Sequence, residues 1–287
     1  MKKILVTGST GLFGSSLILI LKKYNYIVFL HSKAHAKTYM SDLSDEIKTF
    51  EILDQINPDI IINLAALTDV ELCEKSINLA YSINTKIVEN ISNWILYRKN
   101  NSYLIQFSTD HLYDGKLLNP ETNINIKNNY AFSKYAGELA AKRVKSLILR
   151  TNFFGKSESI SRKSFTDWIF ESLKNYEFIN TYDDVFFNPL SIKELIKYVL
   201  LAIENNLFGV YNLGSRNGMS KADFTLSFAS YLNLAVDKIR RVNYINTSST
   251  VIRPLDMRMD CSKFEKDLNI KLPDLNELIE DVAKDYL

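Results

Sequence analysis

The feature that most constrains this chain is a glycine-punctuated loop close to its start. Lys3–Thr7 (KILVT) is apolar and β-branched, as a strand buried on both faces requires. It runs straight into Gly8-Ser9-Thr10-Gly11-Leu12-Phe13-Gly14, and Ser15–Tyr24 then reads as a helix rich in Leu and Ile. Three of the chain's 9 glycines fall in this one stretch. Strand, tight turn and helix form the context in which glycines let backbone approach a pyrophosphate. The free N–H groups and dipole of the helix N-terminus favour negative charge there. The spacing is GxxGxxG rather than GxGxxG, and the physics is similar. Gly8, Gly11 and Gly14, with Leu12 and Phe13 between the last two, are the expected cofactor cradle.

The alternation continues through the first half. Strands are expected at Tyr26–Leu30, Asp59–Leu64, Tyr103–Ser108 and Leu147–Arg150, and helices at Glu46–Ile56, Asn78–Arg98 and Tyr130–Val144. This order predicts an α/β fold: a Rossmann-type doubly wound parallel sheet with a smaller C-terminal α/β substrate lobe. The dinucleotide-binding domain is placed at 1–150. The substrate lobe is placed mainly at 151–287, with an approximate boundary and some segments returning to the sheet. In that second part helices are expected at Ser164–Lys174, Ser191–Asn205, Lys221–Leu232 and Leu275–Tyr286, and a strand at Gly209–Leu213. Ser220, with Asp223 three positions on, reads as a helix cap.

Composition excludes several classes. The formal net charge is only +2, without the basic excess of a chain built to grip nucleic acid. The apolar runs are too short for a membrane span, and the first one meets Thr7 and Gly8 too soon for a signal peptide. The two cysteines, Cys73 and Cys261, form no CxxC pair, which favours a reducing cytoplasm. No cluster of metal-ligating residues stands out, so no metal is expected.

NAD-preferring dinucleotide folds usually carry an acid at the end of the second strand, on the ribose 2′-hydroxyl. Here that strand runs into His31-Ser32-Lys33, with Lys37 nearby and no carboxylate before Asp42. Cationic and hydroxyl side chains suit a 2′-phosphate, so NADP is the expected cofactor, with NAD still open. Tyr130 and Lys134 stand four residues apart on a predicted helix, hence on one face. An ammonium near a phenol favours phenolate and lowers the phenol pKa from about 10. A tyrosine tuned in this way can give a proton to a carbonyl oxygen during hydride delivery. Thr109, just after the strand Tyr103–Ser108, supplies a third polar group.

Together these residues resemble an extended short-chain dehydrogenase/reductase, and more narrowly the dTDP-4-dehydrorhamnose reductase family. The stretches that carry the resemblance are Asn63–Val70 with Cys73-Glu74, Ser108–Gly115 (STDHLYDG), Tyr130–Glu138 (YAFSKYAGE), Leu149-Arg150-Thr151, and Arg253-Pro254 with Asp260, Ser262-Lys263 and Pro273. The resemblance spans essentially the whole chain. It implies reduction of the 4-keto group of a nucleotide-linked deoxy-sugar, feeding cell-surface polysaccharide synthesis. It implies Tyr130 as proton donor, Lys134 as its tuner and a ligand of the nicotinamide ribose, and Thr109 as a donor to the carbonyl oxygen. Asp42 and Leu43 resemble the pair that contacts adenine, and Ala65, Ala66 and Thr68 line the cofactor floor. The substrate side takes Thr109, Asp110 and His111, the last standing where the family usually has tyrosine. It also takes Phe153, as a flat wall for a deoxy-sugar methyl group, and Arg253, whose fork suits a diphosphate. Family members are often dimers, so a homodimer is possible. Two further readings share the fold: a non-catalytic NADP-binding regulatory subunit, and a nucleotide-sugar epimerase or dehydratase. The single acid Asp110 after Thr109 counts against dehydration.

Overall fold

Apolar strands joined by amphipathic helices produce the expected sheet. A computed structural model describes residues 1–33, 39–159, 162–246 and 251–287, and Lys37 lies outside the described residues. The strands β1 (Lys2–Thr7), β2 (Tyr26–Ser32), β3 (Tyr39–Met40), β4 (Ile60–Asn63), β5 (Tyr103–Phe107) and β6 (Ser146–Thr151) join Gly209–Leu213 in a 7-stranded sheet. Its order is Gly209–Leu213, β6, β5, β4, β1, β2, β3. Within it β1 pairs in parallel with both β2 and β4, and β2–β3, β4–β5 and β5–β6 are parallel as well. The chain order reverses at β1, so the loops after β1 and β4 leave the same carboxyl edge on either side of a topological switch point. Ligands bind at such points in open α/β sheets.

The first helices are α1 (Leu12–Leu21), α2 (Glu46–Ile56), α3 (Val70–Lys75), α4 (Ile77–Tyr81), α5 (Ile87–Tyr97) and α6 (Asn129–Ala141). Side chains of Asp45, Asp69 and Asn128 accept from backbone N–H groups in the first turns of α2, α3 and α6. Asn57 closes α2 in the left-handed conformation, just before Pro58. One core layer joins Leu5, Ile61, Leu104 and Ile148 of the sheet to Leu53 and Ile56 of α2. Ile87, Val88, Ile91, Trp94 and Ile95 of α5 and Ala140 and Ala141 of α6 complete it. The single helix expected at Asn78–Arg98 is instead α4, a π-helical turn at Ser82–Lys86, and α5. The wide turn buries Asn84 and Thr85, which bond to residues outside the helix.

By internal contacts the chain forms two units. One comprises 1–109, 127–150 and 206–210; the other comprises 110–126, 151–205 and 211–287. The second unit contains α7 (Phe165–Lys174), α8 (Ile192–Glu204), α9 (Lys221–Tyr231), α10 (Ser262–Leu268) and α11 (Leu275–Lys284). Three short strand pairs accompany them: Phe153–Phe154 with Leu190–Ser191, Phe186–Phe187 with Met219–Ser220, and Ile179–Tyr182 with Ile239–Val242. Among the described residues no helix is long and apolar enough to cross a membrane. None of their His, Cys, Asp and Glu side chains form a group able to hold a metal ion.

Candidate active site

The glycine loop leaves β1 through Gly8, whose φ of +62° is a backbone state that L side chains rarely adopt. A Cβ there would lie 2.8 Å from backbone atoms of Leu64 and Ala65, in the loop after β4. At Gly14 it would lie 2.7 Å from the carbonyl oxygen of Gly8. Gly11 caps α1 with no side-chain hydrogen bond, and no acidic residue stands in the first turn. The loop is therefore a tight, side-chain-free approach to an uncapped helix N-terminus, which fits a dinucleotide pyrophosphate. Leu12 is half-buried. Phe13 points into the core, its ring 5.0 Å from that of Phe107.

At the end of β2, the His31 carbonyl accepts from both the N–H (3.1 Å) and the hydroxyl (2.9 Å) of Ser9, tying the glycine loop to this strand. His31 and Ser32 are buried. The His31 ring lies 3.2 Å from the Ser41 carbonyl oxygen and hydroxyl, and burial holds its pKa below the ordinary range. Lys33 is exposed and forms a 2.7 Å ion pair with Asp42. That pair, with support from Ser44, pulls the Asp42 carboxyl down to about 2. The carboxylate absent from the end of β2 in sequence is thus delivered to Lys33 from ten residues further on. Leu43 belongs to the hydrophobic core, and its carbonyl accepts from Asn90 and Thr49. Ala65 and Ala66 are half-buried and Thr68 is exposed.

Thr109, Tyr130 and Lys134 fall in the first unit, all buried. Lys134 donates to the Phe107 carbonyl, at the end of β5, at 2.6 Å. Burial lowers its pKa to about 8, opposed chiefly by the charge of Glu138. Burial likewise pushes the Cys73 thiol up to about 11, which keeps it protonated at neutral pH.

Two supporting constellations went unseen in the sequence. Asn84, in the π-helical turn, accepts from the Leu67 N–H (2.8 Å) and donates to the Leu67 carbonyl (3.0 Å) and Ser133 hydroxyl (2.9 Å). It thereby joins the loop after β4 to α6. Glu138, one turn after Lys134, accepts from Arg150 Nε (2.8 Å), Arg150 Nη2 (2.6 Å) and the Ser108 hydroxyl (2.5 Å). Arg150 and Glu138 are 1% and 0% exposed, so this ion pair is fully desolvated. Ser108, Glu138 and Arg150 lie inside the stretches that carried the family resemblance, whereas Asn84 lies outside them and only its partners Leu67 and Ser133 fall within; in both constellations the partners are distant in sequence.

In the second unit, Asp110 is buried and accepts from Asn152 at 2.6 Å. His111 is pushed down to about 3, chiefly by burial and then by the charges of Lys221 and Arg253. It therefore stays neutral at physiological pH and is not a group that bends a pH profile near neutrality. Phe153 is half-buried, whereas Phe154 is core, edge-on to Phe224 at 4.8 Å. Arg253 precedes a segment pinned by Asp114, which accepts from the Leu255 (2.8 Å) and Asp256 (3.2 Å) N–H groups. Asn188, in the same unit, spends its amide on Ser215 and Met259.

Comparison with known proteins identifies the family. Residues 1–287 match the family model described as the RmlD substrate binding domain. The dTDP-4-dehydrorhamnose reductase of Shigella flexneri is 28% identical, over 98% of this chain and 99% of that one. The crystal structure of dTDP-4-dehydrorhamnose reductase from Bacillus anthracis in complex with NADP superposes with a TM-score of 0.89. It shares 24% identity and covers 99% of both chains. The Bordetella bronchiseptica enzyme WbmG, solved in complex with NAD, gives a TM-score of 0.83 at 18% identity, covering 99% of this chain and 94% of that one. With its whole length matched, the chain belongs to the RmlD substrate binding domain family, as an NAD(P)-dependent reductase of the extended short-chain dehydrogenase/reductase class.

Proposed function

We propose that the protein reduces the 4-keto group of a nucleotide-linked deoxy-sugar, with NADPH as the preferred reductant. The single observation that carries this reading is the placement of Lys134. A fully buried ammonium is fixed by the Phe107 carbonyl two residues before Thr109, one helical turn after Tyr130. An isolated buried cation is costly. Its presence beside a phenol-bearing turn is explained if the charge works on that phenol and on a ribose hydroxyl.

In this reading Gly8, Gly11, Leu12, Phe13 and Gly14 hold the pyrophosphate. His31, Ser32, Lys33, Asp42 and Leu43 form the adenosine end. Ala65, Ala66 and Thr68 form the floor, and Tyr130 and Lys134 the nicotinamide end. The bound dinucleotide supplies a hydride. The protein orients the ketone and supplies the proton: Thr109 donates to the carbonyl oxygen, and Tyr130 gives its phenolic proton as negative charge develops there. Lys134 stabilises the phenolate left behind. Asp110, His111, Phe153 and Arg253 serve the substrate. A neutral His111 can accept or donate one hydrogen bond to a sugar hydroxyl without changing charge.

The test is oxidation of NADPH by the purified protein across a panel of 4-keto sugar nucleotides, with product mass. Tyr130→Phe is expected to cut turnover at least about a hundredfold while NADPH still binds. Near-normal turnover in that variant rejects the mechanism. Tight NADPH binding with no ketose reduced points instead to a subunit without catalysis.

A further inference from the structure

Phe153 leads into a segment of the second unit that is held from far along the chain. Phe153–Phe154 pairs with Leu190–Ser191, and Asn152 before it is bonded to the Leu190 N–H and to Asp110. At Gly155 the backbone turns with a φ of +144°. Beyond that turn Lys156 donates to the Asp285 carbonyl, and the Ser157 N–H reaches Asp167 Oδ1 at 3.4 Å. Both of these ties meet at Tyr286.

Tyr286 follows α11. Its ring lies 5.0 Å from that of Phe170 and edge-on to Phe228 at 5.3 Å, with the Lys156 ammonium 5.4 Å from its centroid. Its hydroxyl donates to Asp167 Oδ1 at 2.6 Å and stands 3.0 Å from the Thr166 hydroxyl. Burial, and then the Asp167 carboxylate, push the phenol pKa up, so the group stays a donor. The other oxygen, Asp167 Oδ2, accepts from the Ser164 N–H at 2.8 Å and closes the capping box of α7. One carboxylate is thus shared by the segment after Phe153, the start of α7 and the stretch after α11.

Without the phenol, Oδ1 keeps only the long Ser157 bond. A carboxylate oxygen so placed turns toward water and releases that segment. The start of α7 matters to the site as well. Phe165, its first residue, lies under the Lys221 ammonium at 5.2 Å, and the charge of Lys221 acts on His111. A shift at Asp167 therefore travels along the chain to Phe153, and through Phe165 and Lys221 to His111.

We propose that Tyr286 is a positioning residue for the sugar side of the site, acting through Asp167 to hold the segment that carries Phe153 and the start of α7. The proposal rests on the reductase reading of Phe153 and His111. It gives Tyr286 no contact with substrate or cofactor.

The experiment compares the full chain with Tyr286→Phe, which keeps the ring between Phe170 and Phe228 and removes the hydroxyl. Tyr211→Phe is the control, because it deletes the same kind of bond in the same unit, from a tyrosine hydroxyl to Asp267 at 2.8 Å. Two quantities are read in NADP-saturated or NADPH-supplied protein: amide hydrogen exchange over residues 153–159, and KM and kcat for a ketosugar nucleotide that wild type reduces. In Tyr286→Phe the segment should exchange at least about tenfold faster while the parallel sheet keeps its protection, the effect of one lost bond to a carboxylate on a local opening. KM for the sugar nucleotide should rise about threefold to tenfold, with kcat and NADPH affinity within about twofold of wild type. Tyr211→Phe should leave both the segment and KM unchanged. Unaltered exchange over 153–159 in Tyr286→Phe overturns the proposal. So does the same rise in exchange and KM in Tyr211→Phe, since lost stability then explains both. If wild type reduces no ketosugar, the reductase reading falls and the sugar-side role of Tyr286 with it, whereas a segment that loosens in Tyr286→Phe alone still upholds the clasp through Asp167.

Discussion

Removal of one partner from the Glu138–Arg150 pair gives a measurable test of how the catalytic helix is held. Both side chains are fully buried, and the carboxylate takes three hydrogen bonds, two from Arg150 and one from Ser108. Glu138→Leu leaves a guanidinium in the core without its counter-charge, which costs about 3–5 kcal/mol. Arg150→Met strands the carboxylate with only Ser108 and costs a similar amount. At about 2–4 °C per kcal/mol, either change lowers Tm by roughly 6–20 °C. The double variant Glu138→Leu/Arg150→Met replaces the pair with apolar side chains and loses mainly the Ser108 bond, so it should cost only about 1–2 kcal/mol. Urea unfolding of the four proteins at pH 7 completes the cycle. A double variant as unstable as the sum of the singles refutes the idea that charge compensation, rather than packing, holds this site. The Glu138 charge also supports the charged form of Lys134, so the Lys134 pKa should move down in Glu138→Leu.

Other outcomes follow from the same geometry. Gly8→Ala must hold a left-handed backbone and place a Cβ 2.8 Å from backbone atoms of Leu64 and Ala65. Left-handed strain alone costs about 1–2 kcal/mol, and NADPH affinity, read by fluorescence titration, should fall at least tenfold. Lys134 is charged below about pH 8. In the cofactor-saturated protein kcat/KM should therefore decline as pH rises through that region, and Lys134→Arg should remove the alkaline limb. The sign for stability is the reverse. Between about pH 8 and the unfolded value near 10.5 the unfolded chain keeps a proton the native state has lost, so stability rises with pH there by about 3 kcal/mol relative to Lys134→Met. A flat wild-type-minus-variant difference over that window removes the shift. Asp42→Asn frees Lys33 from its ion pair and should raise NADPH preference over NADH, while Lys33→Glu should lower it. An unchanged cofactor ratio in both variants takes Lys33 out of the adenosine site.

Local signals in this sequence were enough for the parallel sheet, the glycine turn and the Tyr130–Lys134 face. Each depends on residues within one turn or one strand: the need for a missing Cβ at Gly8, or the helical period that puts residues four apart on one side. The helix Glu46–Ile56 and the strand Gly209–Leu213 were legible to the residue, because caps, stops and apolar runs mark their ends. What tertiary structure alone decided are pairings across tens of residues. Ser108, Glu138 and Arg150 meet only because β5, α6 and β6 pack as neighbours. Asn84 reaches Leu67 and Ser133 only because a helix widens by one turn. Asp110 acts on Lys221, and Lys221 on His111, across more than a hundred residues of sequence. A sequence states which charges exist. Burial decides which of them lose water, and that loss lowers the pKa of a lysine at a helix start and keeps a histidine after a strand neutral.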